Sequence, residues 1–401
     1  MKETLPIDNR DLIYFDNAAT TPVLPEVIHE MVPYLGIHYG NPSSQHSFGF
    51  ETSRAIEKAR KHVANLIGSS PHEITFTSGG TEANNLAIKG GVSRLGINKD
   101  NKNTVLISSS IEHDSVLQPF NSLKAQGFNV KLLEVSRDGI VKLESLIEIL
   151  KKDNVTLVSI MLANNEVGTI QPIGELARIT HESSDALFHC DIIQALGKIP
   201  IDVKHLGVDL LSLSSHKIYG PKGVGALYSR DPIQLIPLID GGGQEKSLRS
   251  GTENVYGIVG FGEACRIASE NLLENWSNVK GLRDYLVDRV LSTIPKCSVN
   301  GSMNQRLPNN AHFSFLGVKG EDIIVKLNEF GIAASTGAAC SSNKSRPSHV
   351  LKAMGLSLLE IEGSLRITLG YQNTLNEVES VVAALEETIR ELRRHSGFPI
   401  N

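Results

Sequence analysis

The sequence is most informative at Ser212-Leu213-Ser214-Ser215-His216-Lys217-Ile218-Tyr219-Gly220-Pro221-Lys222-Gly223. The apolar segment 209–213 predicts a buried strand, and the small polar residues and glycines after it predict a turn. Lys217 therefore follows the end of a buried strand, where loss of hydration disfavours its ammonium form and frees its amine for a Schiff base. The local sequence leaves one alternative open, which is that Lys217 extends to solvent beside the turn.

Upstream of this turn, apolar segments alternate with helical patterns. The predicted strands lie at 73–77, 104–108, 130–135, 155–162 and 186–190, with 209–213 as the sixth. Repeated strand–helix units imply an α/β fold in which a mostly parallel sheet is covered by helices on both faces. The strands are nearly continuous runs of Val, Ile and Leu, which is typical of strands buried on both faces.

Downstream of about residue 261 the pattern changes to two long helices, predicted at 262–277 and 279–292, and then to a shorter α+β section. The predicted strands of that section lie at 311–315, 332–334 and 365–368. We therefore predict a large domain at 18–262 and a smaller α+β domain formed by 1–17 and 263–401. A loop at 335–347, rich in Ser, Gly, Ala and Asn, should be mobile.

Composition excludes several classes of protein. The 401 residues carry 39 basic and 44 acidic side chains, a net charge of −5, and form no long run of either sign, so neither a nucleic-acid nor a membrane surface is indicated. The four cysteines, Cys190, Cys265, Cys297 and Cys340, lie far apart, which indicates neither a metal site nor a disulfide framework. A reducing cytoplasm fits best, and no apolar segment is long enough to cross a bilayer.

Polar residues follow several predicted strands. Ser78-Gly79-Gly80-Thr81-Glu82 forms a glycine turn that leads into a helix, whose free N–H groups and positive dipole end suit a phosphate. Neither of the two common glycine-rich nucleotide-binding motifs, GxxxxGK(S/T) and GxGxxG, is present. On its own such a turn is more often a simple connection between a strand and a helix. His113 follows the next strand, although a lone histidine is more often a structural hydrogen-bonding group.

Asn165 follows the strand at 155–162, and Asp191 follows the strand at 186–190, with Gln194 three residues later. Asp191 alone could be only a helix N-cap. Beside a Schiff-base lysine, an anionic aspartate indicates a pyridoxal-phosphate site, because it keeps the pyridine nitrogen of that cofactor protonated. Ligands bind at the carboxyl ends of parallel strands, so these side chains predict one site at a single edge of the sheet.

Longer motifs carry a family resemblance. They are Tyr14-Phe15-Asp16-Asn17-Ala18-Ala19-Thr20, Gly40-Asn41-Pro42-Ser43, Thr77-Ser78-Gly79-Gly80-Thr81-Glu82-Ala83-Asn84, Asn164-Asn165-Glu166-Val167-Gly168, Ser214 to Gly223, Gly241-Gly242-Gly243-Gln244-Glu245, Arg249-Ser250-Gly251-Thr252, Ser335-Thr336-Gly337-Ala338-Ala339-Cys340 and Leu365-Arg366-Ile367-Thr368. Through them the chain resembles the cysteine desulfurases of the NifS/IscS type, a branch of the class V aminotransferase-like, fold-type I pyridoxal-phosphate enzymes. The resemblance covers essentially the whole chain, and it implies a large domain with a seven-stranded sheet.

The resemblance also implies roles for individual residues. Lys217 would hold the cofactor and move the substrate Cα proton, and His113 would stack on the pyridine ring and assist proton transfer. Cys340 would take the sulfur of L-cysteine as a persulfide, leaving L-alanine. The implied cofactor-binding residues are Gly80, Thr81, His113, Asn165, Asp191, Gln194, Ser214, His216, Lys217 and, from the other subunit of a homodimer, Thr252. The implied substrate-binding residues are Asn165, Arg366 and Asn41.

The expected partner is a sulfur-acceptor protein such as an iron–sulfur scaffold. Two departures from the family pattern, Arg346 before Pro347 and Lys246 after Glu245, bear on which acceptor docks rather than on the chemistry. The rival functions are a selenocysteine lyase, in which the cysteine matters less, and an aminotransferase or lyase of the same fold. A degenerate scaffold without catalysis is the non-enzymatic alternative.

Overall fold

The computed structural model describes residues 12–94, 103–231, 233–270, 272–337 and 347–398. The strands are β1 Ile13–Tyr14, β2 Ile74–Thr77, β3 Val105–Ser109, β4 Asn129–Leu133, β5 Val155–Ser159, β6 Leu187–Asp191, β7 Leu210–Ser214, β8 Gly225–Ser229, β9 Cys297–Val299, β10 Asn310–Phe315, β11 Ile332–Ala333 and β12 Ser364–Thr368. The helices are α1 Pro25–Met31, α2 Pro33–Gly36, α3 Ser47–Ile67, α4 Gly80–Asn85, α5 Gly91–Ser93, α6 Asp114–Ala125, α7 Leu143–Lys152, α8 Ile173–Ser183, α9 Val203–Leu206, α10 Val255–Glu270, α11 Leu272–Thr293, α12 Gly320–Glu329, α13 His349–Ala353, α14 Leu358–Glu362 and α15 Leu375–Ser396.

Seven strands form the main sheet, in the order β2-β8-β7-β6-β5-β3-β4. The neighbouring pairs from β7 to β4 are parallel, whereas β8 runs antiparallel to both β2 and β7. The α/β fold with a mostly parallel sheet is therefore confirmed, as are the six strands predicted for it. The strand β8 had not been predicted, since its segment begins with glycine and closely follows the glycine-containing turn after β7.

The remaining strands belong to the second half of the fold. An antiparallel sheet has the order β12-β10-β9, and β1 pairs in parallel with β11. Phe15, which follows β1, packs in one hydrophobic cluster with Trp276, Phe313 and Leu385, so the N-terminal segment joins a core built mainly from the C-terminal third of the chain. This core is distinct from the clusters that cover the seven-stranded sheet.

The helix α10 starts at Val255, seven residues before the predicted start at 262, so the predicted boundary was wrong. Glycines made the segment look unlike a helix, yet they allow close packing. A Cβ on Gly262 would lie 2.5 Å from the Cα of Ala59 in α3, and a Cβ on Gly260 would lie 2.6 Å from the Sδ of Met31 in α1. The glycines are therefore explained by the close approach of α10 to the first helices.

None of the helices in the described part of the chain is long and apolar enough to span a membrane.

Candidate active site

One edge of the main sheet is formed by the carboxyl ends of its parallel strands, including β3, β6 and β7. The carboxyl end of β2 lies at the same edge, because β2 runs in the same direction as β7. Ser214 and Asp191 are the last residues of their strands, and Lys217 lies in a one-turn 3-10 helix directly after β7. The parallel topology thus places these sequence-predicted residues at a single edge.

Lys217 turns its amine toward the protein. Its Nζ donates hydrogen bonds to the carbonyl oxygens of Ala18 and Ala19, each at 2.6 Å. Gln194 donates from Nε2 to the same Ala18 carbonyl at 3.0 Å. The segment after β1 therefore brings the lysine and the glutamine together, although they belong to different strand ends.

A chain of hydrogen bonds connects Asp191 to His113. Asn84 Nδ2 donates to Asp191 Oδ2 and to Ser115 Oγ, each at 2.8 Å, and Ser115 Oγ lies 2.8 Å from His113 Nδ1. The backbone N–H of Ser115 also donates to Nδ1 at 3.1 Å, which makes Nδ1 an acceptor and leaves the proton of the neutral imidazole on Nε2. Sequence reasoning assigned no role to Asn84 or Ser115. The feature that marks Asn84 as functional is the full burial of its side-chain amide in α4, which is visible only in the structure.

Burial shifts the pKa values of these groups. It raises the pKa of Asp191, and the hydrogen bonds from Asn84 and Ile193 and the charges of His113 and Lys217 oppose that rise. Burial also lowers the pKa of His113, which agrees with a neutral imidazole. The pKa of His216 falls to about 4, through burial first and then through nearby lysines including Lys217.

The turn between β2 and α4 has the geometry of an anion cradle. Gly79 adopts φ 151°, a conformation that residues with a Cβ rarely adopt, and a Cβ there would meet nothing within 4 Å. A Cβ on Gly80 would lie 2.1 Å from the Cδ1 of Ile193 and 3.6 Å from the Cβ of Ser214, so the start of α4 lies close to the ends of β6 and β7. Thr81, in the first turn of α4, is exposed beside a pocket of about 350 Å³ that His113 also lines.

Arg366, on β12, is almost fully buried and forms an ion pair with Asp16. Its Nη2 lies 2.7 Å from Asp16 Oδ1, and its Nη1 donates to the backbone carbonyl of Asn165 at 2.8 Å. Its Nε has no partner among the described residues. The guanidinium thus joins the N-terminal segment, the loop after β5 and β12, and it retains a donor that is not used.

Asn41 and Thr252 are not joined to this cluster by the contacts of the described residues. Asn41 is exposed, and its side-chain oxygen accepts a hydrogen bond from the backbone of Ser43 at 2.9 Å. Thr252 is also exposed, between Gly251 and Glu253.

Cys340 lies outside the described residues, but the segments on either side of it contact two buried acids. Ser348 Oγ donates to Glu166 Oε2 at 2.6 Å, and a Cβ on Gly337 would lie 3.4 Å from the Glu166 side chain. His349 Nε2 lies 2.9 Å from the backbone carbonyl of Glu112. Glu112 directly precedes His113, and Glu166 directly follows Asn165, so both flanks reach the loops of the candidate site.

Glu112 and Glu166 received no role from sequence reasoning. Both are fully buried, and burial raises the pKa of each, that of Glu112 to about 8. Ser109 Oγ donates to Glu112 Oε1 at 2.5 Å and the backbone N–H of Met161 donates to the same oxygen at 2.9 Å. Glu112 therefore holds the loop before His113 as a neutral acid near neutral pH.

The three described cysteines are not suited to nucleophilic chemistry. Cys190 and Cys265 are buried, Cys297 is half-buried, and burial raises the pKa of all three thiols. The described residues also contain no cluster of His, Cys, Asp and Glu that could hold a metal ion.

Comparison with known proteins gives a consistent result. Residues 13–381 match the family model described as aminotransferase class-V. The chain is 47% identical over 386 residues to a protein named cysteine desulfurase IscS from Dictyoglomus turgidum, covering 96% of each chain. A solved NifS-like protein superposes with a TM-score of 0.88 at 40% identity and covers 95% of this chain and 100% of its own. The structure of SspA in complex with cysteine superposes with a TM-score of 0.78 at 36% identity, over 90% of this chain and all of that one.

Proposed function

The chain belongs to the class-V aminotransferase family and is a pyridoxal-phosphate-dependent cysteine desulfurase, and on that premise we propose which residues bind the cofactor, bind L-cysteine and take up the sulfur. The observation that carries the assignment is the convergence of Lys217, Asp191 and His113 at one edge of the sheet, close enough for each to affect the ionisation of another.

The residues present fit pyridoxal phosphate. Asp191 is a buried carboxylate whose hydrogen-bond donors, Asn84 and Ile193, are neutral, so a protonated ring nitrogen would give it a charged hydrogen-bond donor. Gly79 leaves the start of α4 open to an anion. Thr81 follows in the first turn of α4, and Ser214 approaches Gly80 from the end of β7, with His216 two residues later. When bound, the cofactor supplies an electron-withdrawing ring that stabilises negative charge developing at the substrate Cα.

Lys217 holds the cofactor covalently and then moves the Cα proton. Its Nζ donates hydrogen bonds to the backbone carbonyls of Ala18 and Ala19, which the amine would give up on binding the cofactor. Gln194 shares the Ala18 carbonyl and is placed to donate to the cofactor's phenolate oxygen. His113, neutral with its proton on Nε2, would stack on the cofactor ring and assist proton transfer.

Arg366 binds the substrate carboxylate, with Asn165 beside it and Asn41 at the rim. A planar guanidinium pairs with a carboxylate through two parallel N–H bonds, and Arg366 has an unused Nε for the second of them. Asp16, one-fifth exposed, occupies the carboxylate position in the absence of substrate.

Cys340 is the sulfur acceptor. It comes three residues after Gly337 in the sequence, and Gly337 itself adjoins Glu166. The Sγ thiolate attacks the sulfur of L-cysteine and forms an S–S bond. The Cβ–S bond breaks, its electron pair stays on carbon, and protonation there gives L-alanine. Sulfur thus leaves as a persulfide, with no external oxidant or reductant.

The protein acts as a homodimer, and a large apolar face supports this. Ile28, Val32, Leu35, Ile37, Tyr39, Phe48 and Phe50, around α1 to α3, are about half or more exposed, as to a lesser degree are Ile236, Leu238, Ile239 and Tyr256. The helices α1 and α3 both pack on α10, which carries Tyr256. Exposed apolar side chains on neighbouring helices are typical of an interface, and in a dimer this face would bring Thr252 of one subunit to the cofactor phosphate of the other.

The persulfide is delivered to an acceptor protein such as an iron–sulfur scaffold, in the cytoplasm, where a reducing environment suits three free thiols. The chain is divided into a large domain at 18–262 and a small domain at 1–17 and 263–401. In support, Phe15 packs in a hydrophobic cluster whose other buried members lie at 276–389, although Val350 and Leu351 pack in a cluster on the main sheet.

The decisive experiment measures alanine and persulfide formation from L-cysteine in wild type, Cys340→Ala and the matched control Cys297→Ala. Loss of both products in Cys340→Ala alone is expected. Retained desulfuration by Cys340→Ala would overturn the role of this cysteine and favour a selenocysteine lyase, which the same variant assayed with selenocysteine would reveal. An absorption band of bound cofactor that persists in Lys217→Ala would overturn the role of the lysine.

A further inference from the structure

The turn at Gly243–Ser247 is conformationally strained. Glu245, Lys246 and Ser247 have φ values of 45°, 56° and 65°, so three consecutive residues with side chains lie in the left-handed region. L-residues adopt this region rarely and at a cost in free energy, and runs of them persist only where the surrounding structure imposes them. Something outside the turn must therefore hold it.

A buried ion pair provides that restraint. Arg60, on α3, bonds Glu245 through both ends of its guanidinium, with Nη1 to Oε2 and Nη2 to Oε1 each at 2.8 Å. Glu245 Oε2 also accepts from the backbone N–H of Phe76 at 2.7 Å, and Arg60 Nη1 donates to the carbonyl of Ile74 at 2.9 Å. The two side chains are 6% and 4% exposed. One ion pair thus fixes the turn to α3 and to β2.

The strand β2 leads directly into the Gly79-Gly80 cradle, and the turn leads directly to Thr252. Gln244 Oε1 accepts from the backbone N–H of Gly251 at 2.9 Å, which connects the turn to the residue before Thr252. Arg249 further along bonds Glu82, whose other oxygen accepts from the backbone N–H of Ser78. The ion pair and these bonds therefore set the position of Thr252 relative to the sheet.

Thr252 is exposed, and the segment 241–254 is flanked by the exposed apolar residues Ile239 and Tyr256 of the proposed dimer face. The ion pair that restrains the segment lies within one subunit, whereas the side chain of Thr252 is exposed. Thr252 is therefore held in place and available for contact with another molecule.

We infer that Arg60 and Glu245 are positioning residues that act across the dimer: they hold the segment 241–254 of one subunit in the strained form that completes the cofactor phosphate site of the other. This inference rests on the proposed homodimer. Loss of Glu245 from one subunit then weakens cofactor binding in the opposite subunit rather than in its own.

Mixed dimers test the direction of the effect. Subunits carrying Lys217→Ala and subunits carrying Glu245→Gln are given different affinity tags, co-expressed, and purified through both tags. The site that retains Lys217 then faces an intact turn from the other subunit. We expect the Glu245→Gln homodimer to bind pyridoxal phosphate at least tenfold more weakly, and the mixed dimer to have one site of wild-type affinity and about half the wild-type activity.

Two readouts separate the possible failures. Cofactor affinity is measured by titrating cofactor-free protein with pyridoxal phosphate and following the bound absorption band, and subunit number is measured by light scattering. A mixed dimer whose Lys217-bearing site binds as weakly as in the Glu245→Gln homodimer would overturn the inference and leave the dimer intact. A wild-type protein that is monomeric would overturn the proposed homodimer itself.

Arg60→Lys provides a second variant if Glu245→Gln folds poorly, because lysine keeps the charge but cannot form the paired bonds. It should weaken cofactor binding less than Glu245→Gln does, again in the opposite subunit of a mixed dimer. Glu182→Gln removes an exposed ion pair with Arg178 and serves as the matched control with unchanged affinity. Unchanged cofactor affinity in both Arg60→Lys and Glu245→Gln would overturn the inference.

Discussion

Arg60 and Arg366 are buried arginines that form ion pairs, and these two pairs differ in how completely they are satisfied. Arg60 shares both oxygens of Glu245, which is only 4% exposed and also binds the backbone of β2. Arg366 bonds one oxygen of Asp16, which is 20% exposed, and its Nε has no partner among the described residues. The first pair has no capacity for another ligand, whereas the second has an unused donor and a partner that water can reach.

This difference separates a structural ion pair from a binding site. A buried arginine with all its partners in place holds segments of the chain together, and exchange of its carboxylate would expose unpaired charges. A buried arginine with a free donor and a partly solvated partner can exchange that partner for the carboxylate of a substrate at little cost. The four predictions below test the distinction.

The largest effect on stability is expected at the complete pair. Arg60→Met leaves Glu245 buried and uncompensated, which costs about 3–5 kcal/mol of unfolding free energy. The double variant Arg60→Met/Glu245→Leu removes both charges and should recover most of that loss. Denaturant unfolding of both proteins measures the difference. If the single and double variants are equally unstable, the charge of Glu245 is not the cause.

At the incomplete pair, Arg366→Met should affect catalysis more than folding. Loss of a buried charge partner for a substrate costs about 3–4 kcal/mol, which lowers kcat/KM for L-cysteine by roughly 100- to 1000-fold. Arg366→Lys keeps the charge without the planar fork and should recover only part of the activity. Steady-state assays of alanine formation measure both variants. A kcat/KM within tenfold of wild type in Arg366→Met would assign carboxylate binding to another residue.

Glu112 sharpens the comparison, because it is as deeply buried as Glu245 but its hydrogen-bond donors are neutral. Its pKa is raised to about 8 in the folded protein, from about 4.5 in the unfolded chain. Between these values the unfolded state has released a proton that the folded state retains, so stability falls as pH rises, by up to about 1.4 kcal/mol per unit.

Glu112→Gln removes this dependence. The unfolding free energy of the variant relative to wild type should therefore increase between pH 5 and pH 8, as measured by denaturant titration at several pH values. The exposed variant Glu182→Gln is the control. A difference between Glu112→Gln and wild type that is constant over this range would show that Glu112 is ionised in the folded protein.

The smallest effect is expected for Asp16→Asn. If Asp16 only occupies the carboxylate position, its neutralisation should lower the KM for L-cysteine by roughly fivefold, since a partly exposed ion pair contributes about 1 kcal/mol. Stability should change by a similar amount or less. A KM that rises tenfold would instead mean that Asp16 orients Arg366 during binding.

The sequence predicted the main sheet well, because strands buried on both faces form continuous apolar runs that need no knowledge of their neighbours. It also predicted the strand-end residues Asp191, His113 and Lys217 as one site, since parallel strands end at the same edge. It failed at β8 and at the start of α10, where glycines that serve close packing look like interruptions of a strand or helix.

The connections between distant segments could not be predicted in this way. Arg60 and Glu245, or Asp16 and Arg366, are far apart in the chain, and no local pattern marks one as the partner of the other. Asn84 and Ser115 connect Asp191 to His113 only because α4 and α6 pack together. Such contacts depend on tertiary structure, which propensity and periodicity do not encode.

The parallel pairing of β1 with β11 has a consequence for synthesis. A chain elongating at about 5–20 residues per second completes β11 roughly 15–60 s after β1, so the N-terminal strand waits while all seven strands of the main sheet are made. Ala18 and Ala19, which accept the hydrogen bonds of Lys217, belong to this late-docking segment. The N-terminal segment, which binds the amine of Lys217, therefore reaches its full set of contacts only after the main sheet has been made.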